Sequence, residues 1–483
     1  MTPDPPATIC CCGQELAREA RPDRGPNPFA LDPRSIAVWR AGLGFMVCLD
    51  VILRLRDLTV FYTDAGVLPR ALLLAQPWAV PRYNLFLAAG SALGQAILFA
   101  LTAAAATALA LGYHPRWAGL ATWFMVCSLQ LRNPLVLDGG DELLRVMLFW
   151  TMFLPVEARF STEPQPPRRG LYLGWASFGY VLQVILLYLF AALNKSGDVW
   201  RKTGEALYYT LSIEQFTTRF GLWLLGYPGV LKALTFAVLA LEFTLPVLLL
   251  LPFWVKTWRT IFLGLALCFH LGIAATLHLG LFMPIALVSL LALIPSNWWP
   301  EPLEPEQDYP NPPVGLQAFL ALTCAYLVAI NLWMLDPSHS RAPTVMRWFG
   351  LLTCEQQVWR LFGPEPFRED GWFVVEAVDA NGQAWDLTRT PRPLDLSKPA
   401  NMAGQFPNQR WRRWLQNLAQ DDFPELGVAY LDYRARHWDG SSELRSLRLI
   451  FMEEPTPEPG QAATVRQRVL AQEKRSGPVR LRF

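Results

Sequence analysis

Long runs of apolar side chains with few charges between them dominate the first 335 residues of the chain. Residues 84–111, 171–194 and 312–335 carry no charged side chain, and residues 260–295 carry only two histidines. A helix needs roughly 20 such residues to cross the hydrocarbon core of a bilayer. These runs therefore predict membrane-spanning helices, and residues 260–295 are long enough for two short spans hinged near Gly280.

Four further stretches are apolar enough to join them, at residues 35–53, 117–133, 142–156 and 233–255. Together they predict an all-α polytopic transmembrane bundle of eight or nine helices, followed by a small α+β polar domain. Trp and Tyr side chains at the edges of the runs fit an aromatic belt at the bilayer surface. We expect an integral protein of the bacterial inner membrane, with the lipid bilayer as its first partner. Arginines flank both ends of the first span, and we place the N-terminus in the cytoplasm.

The polar domain is indicated by a change in charge density. From Asp336 to Phe483 the chain holds 20 of its 42 Lys and Arg and 19 of its 40 Asp and Glu. Gly371–Val378 and residues 443–452 have strand propensity, and residues 408–419 have helical spacing. The turn signal Asp379–Gly382 predicts a hairpin in which residues 383–387 return as a strand. The predicted divisions are a disordered tail at 1–30, the bundle at 31–299, a Pro-rich linker at 300–313, the last span at 314–335, the polar α+β domain at 336–455 and a disordered tail at 456–483.

Net charge and cysteine content narrow the function classes. The formal net charge of +2 gives no electrostatic footprint for nucleic acid, so we expect no nucleic-acid partner. No cysteine spacing suits zinc or a disulfide framework, and we expect no metal. The Cys10–Cys12 cluster has the composition for palmitoylation or metal binding, but it lies in the Pro-rich tail.

Ionisable side chains inside the apolar runs are candidate functional groups, because a charge at membrane depth is costly. Asp50 and Arg54 are four residues apart and predict a structural pair. Glu242 stands alone in its span, where it either forms a site or pairs with Arg145 or Lys195. The candidate residues are Asp138, Asp141, Arg145, Lys195, Asp198, Trp200, Glu242, His270 and His278.

The roles of these residues differ. Asp141 and Arg145 share a helix face. His270 and His278 share one only if a single helix continues through both; backbone carbonyls that satisfy them are the alternative. Lys195 ends an uncharged run and precedes a helix break, which exposes a buried amine to a cavity. Hydrocarbon surroundings disfavour an ammonium, so such an amine becomes available as a base for a lipid-soluble substrate such as a quinol.

Several segments resemble the horizontally transferred transmembrane (HTTM) family, which includes the vitamin K-dependent gamma-carboxylases. The most specific segment runs from Phe190 to Gly204 and contains Lys195, Asp198 and Trp200. Other matching segments are Leu31–Arg34, Phe61–Pro69, Phe269–Leu271, Leu279–Phe282 and Gln357–Pro364.

The resemblance implies a mechanism. In the carboxylases a lysine at the position of Lys195 deprotonates reduced vitamin K, the anion reacts with O2, and the strong base that forms permits CO2 to add to a glutamate. The carboxylases also carry an Asn-His-x-Tyr motif at the head of the fourth span. Here the corresponding residues, Leu137–Arg145, contain no histidine, and His278 is the candidate substitute.

These observations support three hypotheses. The first is a carboxylase-like lyase or oxidoreductase that uses reduced vitamin K or menaquinol with O2 and CO2. In it Lys195, His270 and His278 act in catalysis, Asp138, Asp141, Arg145, Asp198, Trp200 and Glu242 shape the cavity, and the C-terminal domain binds a polypeptide substrate. The second is a non-enzymatic membrane protein for binding, immunity or assembly. The third is a transporter, which ranks last because no inverted repeat is evident.

Overall fold

The computed structural model describes most of the chain outside its two ends. The predicted tail at 1–30 lies largely outside the described residues, as do Cys10–Cys12, the middle of the predicted linker and the last eight residues. The described residues are 27–79, 84–162, 170–301, 309–336, 338–339, 341–420, 423–440, 442–458, 461 and 463–475.

Helices form most of the described structure, and five strands lie in its C-terminal part. The helices are α1 Pro33–Leu55, α2 Leu58–Tyr62, α3 Arg70–Leu74, α4 Ala92–Leu111, α5 Pro115–Arg132, α6 Gly139–Trp150, α7 Trp175–Asn194, α8 Asp198–Arg201, α9 Ala206–Ser212, α10 Arg219–Leu224, α11 Pro228–Leu250, α12 Val255–Thr276, α13 Phe282–Ser289, α14 Val314–Trp333, α15 Thr344–Thr353, α16 Gln409–Gln420 and α17 Pro424–Arg436. The strands are β1 Glu369–Asp379, β2 Ala384–Asp386, β3 Arg392–Pro393, β4 Leu444–Pro455 and β5 Arg466–Lys474.

Six helices within the described residues are long and apolar enough to cross a membrane: α1, α4, α7, α11, α12 and α14. This number is lower than the eight or nine spans predicted. The other predicted spans do form helices, but α6 and α13 have only 12 and 8 residues. Helix α5 has 18 residues that include Arg116, Gln130 and Arg132, and these lower its apolar content. The chain is therefore an integral membrane protein with six clear spans and shorter helices packed among them.

Three of the spans run in the same direction. The backbone of Leu31, just before α1, pairs with Tyr172, just before α7. The Tyr172 ring also packs against Tyr309, which precedes α14, with the ring centroids 5.0 Å apart. These helices begin on one face of the bundle and end on the other. The C-terminal domain lies at the second face, where Trp411 donates to Asp57, two residues after α1.

The C-terminal domain contains a five-stranded antiparallel sheet in the order β3-β2-β1-β4-β5. The predicted strands, turn and helix are present as β1, the turn that contains Gly382, β2, α16 and β4. The prediction that 456–483 is a disordered tail is wrong for β5, since its residues pair with β4 from Ser446 to Glu453. The side chains of β5 are mostly polar, so they give no apolar strand pattern. Backbone hydrogen bonds to β4 hold this strand in place.

A buried cluster of four charges joins the domain to the bundle. Arg54 donates to Asp50 at 2.7 Å and also binds Asp141. Arg410, on α16 of the C-terminal domain, reaches the same two carboxylates, with Nη2 2.5 Å from Asp50 and 3.3 Å from Asp141. All four side chains are at most 6% exposed. Two guanidinium groups therefore balance two carboxylates at the junction.

The predicted pair of Asp50 and Arg54 is present, but Asp141 and Arg145 do not pair. Arg145 instead donates to the side chain of Gln130 at 2.9 Å and to the backbone carbonyls of Cys354 and Gln356 at 2.9 and 2.7 Å. The partner of Asp141 comes from a distant part of the sequence.

We expect Arg410→Met to destabilise the protein, because Asp50 and Asp141 each lose a buried cationic partner. Removing one member of a buried ion pair costs about 3–5 kcal/mol. The melting temperature in detergent measures this loss. Arg445→Met is the control, because Arg445 is exposed on β4 and surface substitutions usually change stability by less than about 0.5 kcal/mol. Equal melting temperatures for the two variants would contradict the role of the cluster.

Candidate functional site

A cavity of about 1480 Å³ lies between the bundle and the C-terminal domain. Its walls come from α7, α9, α11 and α12 on the bundle side and from α16, β1 and β4 on the domain side. Six of the predicted site residues line it: Asp138, Arg145, Lys195, Trp200, Glu242 and His270.

Three predicted site residues lie elsewhere. Asp141 belongs to the buried charge cluster, and Asp198 is exposed and pairs with Lys202 at 3.0 Å. Helix α12 ends at Thr276, so the condition under which His270 and His278 would share a helix face is not met. His278 lines a separate cavity of about 870 Å³.

Lys195 is held at the end of α7 by two partners. Its Nζ donates to Glu242 Oε1 at 2.8 Å and to the carbonyl of Ala191 at 3.2 Å. The Trp200 ring centroid is 5.2 Å from Nζ. Lys195 and Glu242 are only 2% and 3% exposed. The sequence left open whether Glu242 pairs with Arg145 or Lys195, and the structure places it on Lys195.

The amine is therefore not isolated in apolar surroundings. Its neighbour is a carboxylate within hydrogen-bond distance, so a proton can pass directly between the two groups. Because both groups are buried, a charge that a ligand brings beside the pair interacts strongly with both of them.

His270 Nδ1 is a buried polar atom of this cavity that lacks a hydrogen-bond partner among the described residues. The other ring nitrogen of His270, Nε2, is 2.8 Å from the hydroxyl of Tyr188. Both carboxylate oxygens of Glu242 lie 2.8 Å from Lys195 Nζ. Buried polar atoms are usually satisfied, so His270 Nδ1 is available to a bound ligand.

The loop after Lys195 packs closely against the chain that enters the C-terminal domain. The backbone N–H of Gly197 donates to the carbonyl of Pro364 at 3.0 Å, and a Cβ at Gly197 would lie 2.2 Å from Glu365. Glycine is therefore required for this approach. Trp200 is fixed in the same way, since its Nε1 donates to the carbonyl of Phe362 at 3.0 Å.

The segment from Val358 to Pro364 also lines the cavity. The sequence patterns did not predict that this segment belongs to the site. Gln357, at its start, exchanges hydrogen bonds with Gln183 of α7. The domain adds Phe373 and Arg412 to the wall. Gln357 and Trp359 indicate that this segment packs against helices. Nothing in the local sequence, however, shows that its partner is Gln183 of α7.

Asp138, which also lines the cavity, caps α6. Its Oδ1 accepts from the backbone N–H of Gly140 at 2.8 Å and of Asp141 at 3.3 Å. Burial, together with the nearby charge of Asp141, raises the pKa of Asp138 to about 6. The carboxyl therefore changes charge close to neutral pH.

Around Lys195 and His270 the cavity is a chamber lined mainly by apolar side chains of α7, α11 and α12, whereas its C-terminal-domain side carries charged side chains such as Arg412, Arg413 and Glu453. Such a chamber suits an apolar ligand with a polar ring. Within the described ranges, no group of three or more His, Cys, Asp or Glu side chains is arranged to hold a metal ion.

Comparison with known proteins gives two weak similarities. The chain is 28% identical over 158 residues to the uncharacterized protein YitO of Bacillus subtilis (strain 168), which covers 31% of the chain and 45% of YitO. It is 24% identical over 201 residues to the sporulation-delaying protein SdpB of the same organism, which covers 38% of the chain and 56% of SdpB. The chain thus spans about half the length of these curated relatives. No protein-family model and no solved structure matches it.

We expect the wild type to lose stability relative to the Asp138→Asn variant as the pH rises through about 6. The quantity is the difference between their free energies of unfolding. The folded pKa of Asp138 lies above the ordinary value of 3.8, so the carboxyl stabilises the fold at low pH, and that contribution is lost above pH 6. Asparagine keeps the helix cap and stays neutral.

Melting temperatures between pH 4.5 and 7.5 test this expectation, with Asp439→Asn at an exposed position as the control. A difference between wild type and Asp138→Asn that is constant over this pH range would show that Asp138 does not titrate there.

Proposed function

We propose that this chain is an integral membrane enzyme of the HTTM type that binds a hydroquinone lipid and removes its phenolic proton with Lys195. The reduced ring would lie in the cavity between the bundle and the C-terminal domain. The observation that carries the proposal is the buried Lys195–Glu242 pair, which lines the cavity together with His270, whose Nδ1 has no hydrogen-bond partner among the described residues.

The proton transfer uses the pair as a unit. Lys195 accepts a proton only as a neutral amine, and Glu242 Oε1 is close enough to hold the proton that the ammonium gives up. The phenolic proton of the substrate then moves to Nζ, and a phenolate remains beside the new ammonium. The favourable charge interaction in buried surroundings stabilises this product state.

His270 and Tyr188 would orient the ring. They lie on α12 and α7, joined at 2.8 Å, and the free Nδ1 of His270 can bind a second ring oxygen. A hydroquinone carries two oxygens on opposite sides of the ring, which fits two separate polar positions on an apolar wall.

The further chemistry follows the resemblance to the carboxylases. Hydroquinone and O2 together give a quinone epoxide and water, and the two hydroquinone hydrogens leave in the water. Addition of CO2 to a polypeptide held by the C-terminal domain would be the coupled reaction. Under the same proposal the chain lies in a bacterial inner membrane with its N-terminus in the cytoplasm.

A non-enzymatic role in binding, immunity or assembly is the second candidate. The observation that favours it is that Glu242 already neutralises Lys195, as in a pair that only holds two spans together. The printed name of SdpB describes a sporulation-delaying protein and gives no reaction. Turnover distinguishes this candidate from the enzyme.

We expect purified protein with menaquinol and O2 to form the quinone epoxide, and Lys195→Met to lose at least about 100-fold in rate. This is the lower range of what general acid–base catalysis contributes. Mass spectrometry of the extracted lipid measures the product. Lys202→Met is the control, because Lys202 lies on the same loop with its side chain 73% exposed.

Glu242→Gln is expected to slow turnover as well, because the pair loses its proton acceptor. Unchanged epoxide formation in correctly folded Lys195→Met would exclude Lys195 as the base. Absence of epoxide from the wild type would favour the non-enzymatic role.

A further inference from the structure

Helix α15, which follows the last span, presents an apolar face that the protein does not cover. Val345 is 81% exposed and Leu352 is 58% exposed. They are seven residues apart, so they lie on the same side of the helix. The sequence places this helix in the polar domain, where such a face would meet water.

The adjoining face of α15, which includes Phe349, packs along the spanning helix α14. The ring of Phe349 is 4.8 Å from that of Tyr326 and 6.3 Å from that of Phe319, measured between centroids. At 1.5 Å per residue, Tyr326 lies about 10 Å and Phe319 about 21 Å along α14 from its end at Trp333. Helix α15 therefore lies beside the middle of a span.

The chain enters the membrane depth of α15 and leaves it again from the same side of the bundle. Before α15, Trp333 donates to the carbonyl of Arg341 at 3.2 Å, at the end of α14. After α15, Gln357 Nε2 donates to Gln183 at 3.1 Å, and Gln183 lies about 16 Å along α7 from its end at Asn194. The chain then returns to that end, where Asn194 donates to the carbonyl of Trp359 at 3.3 Å.

We propose that residues 341–364 form a re-entrant membrane segment, in which α15 enters the hydrocarbon core with Val345 and Leu352 against lipid acyl chains. The non-helical part, from Cys354 to Pro364, returns inside the bundle. Irregular backbone is tolerated at membrane depth only where protein satisfies it. Here Arg145 binds the carbonyls of Cys354 and Gln356, and Glu142 accepts from the N–H of Val358 at 2.8 Å.

Two further features agree with an acyl-chain partner. The same span that packs on α15 exposes Leu322 and Leu332 at 57% and 55%, as expected of a helix that faces lipid. Arg347 is exposed but lies one turn from the start of α15, and its long side chain can extend to the interface. This inference does not depend on the proposed quinol chemistry.

Photolabelling of the unaltered full-length protein tests the proposal. The protein is reconstituted in nanodiscs of phosphatidylcholine that carries a diazirine either in the middle of the acyl chain or at the headgroup, and labelled peptides are identified by mass spectrometry. We expect the acyl-chain probe to label Val345–Leu352 to within about threefold of the segment around Leu322. The exposed Val465 in the C-terminal domain should remain unlabelled by this probe.

The other outcomes overturn the proposal. Stronger labelling of α15 by the headgroup probe would place it on the membrane surface. No labelling of α15 by either probe, with Leu322 labelled by the acyl-chain probe, would mean that a protein surface such as a second copy of the chain covers it. Both results are independent of whether Lys195 acts as a base.

Discussion

The insertion of Arg410 between Asp50 and Asp141 is the interaction on which the arrangement of the molecule depends. It brings a cation from the C-terminal domain to two bundle carboxylates that Arg54 alone cannot neutralise. Charges buried this deeply require partners, so the domain and the bundle are held in one relative position. The main cavity takes its walls from both parts and exists only while they are joined.

Within that cavity, the pairing of Lys195 with Glu242 sets the available chemistry. A buried amine without a partner would be neutral and free, whereas a buried pair can either remain closed or pass a proton to and from a ligand. His270, whose Nδ1 has no hydrogen-bond partner among the described residues, lines the same cavity as this pair. The geometry therefore joins a lipid-soluble ligand to a proton acceptor, which is the basis of the proposed hydroquinone chemistry.

The sequence predicted those features that depend on local pattern. Uninterrupted apolar runs identified α4, α7 and α14, and the turn at Gly382 between two strand patterns identified a hairpin. Lys195 was found because it ends such a run. Features that depend on distant partners were not predictable. Strand β5 is polar and is held only by its pairing with β4. Arg410 has nothing in its local sequence that distinguishes it from a surface arginine, and its role follows only from its contacts with Asp50 and Asp141. The span count was too high because α13 is apolar but short, α6 is short and carries charged side chains, and α5 contains Arg116 and Arg132.

The most direct test of the account is the position of a bound quinone relative to Lys195. An experimental structure of the full-length protein in nanodiscs loaded with menaquinone would show it. We expect the ring to lie in the cavity between the bundle and the C-terminal domain, with an oxygen within hydrogen-bond distance of Lys195 Nζ or Glu242 Oε2. A ring bound elsewhere on the protein, with Lys195 and Glu242 still closed on each other, would contradict it.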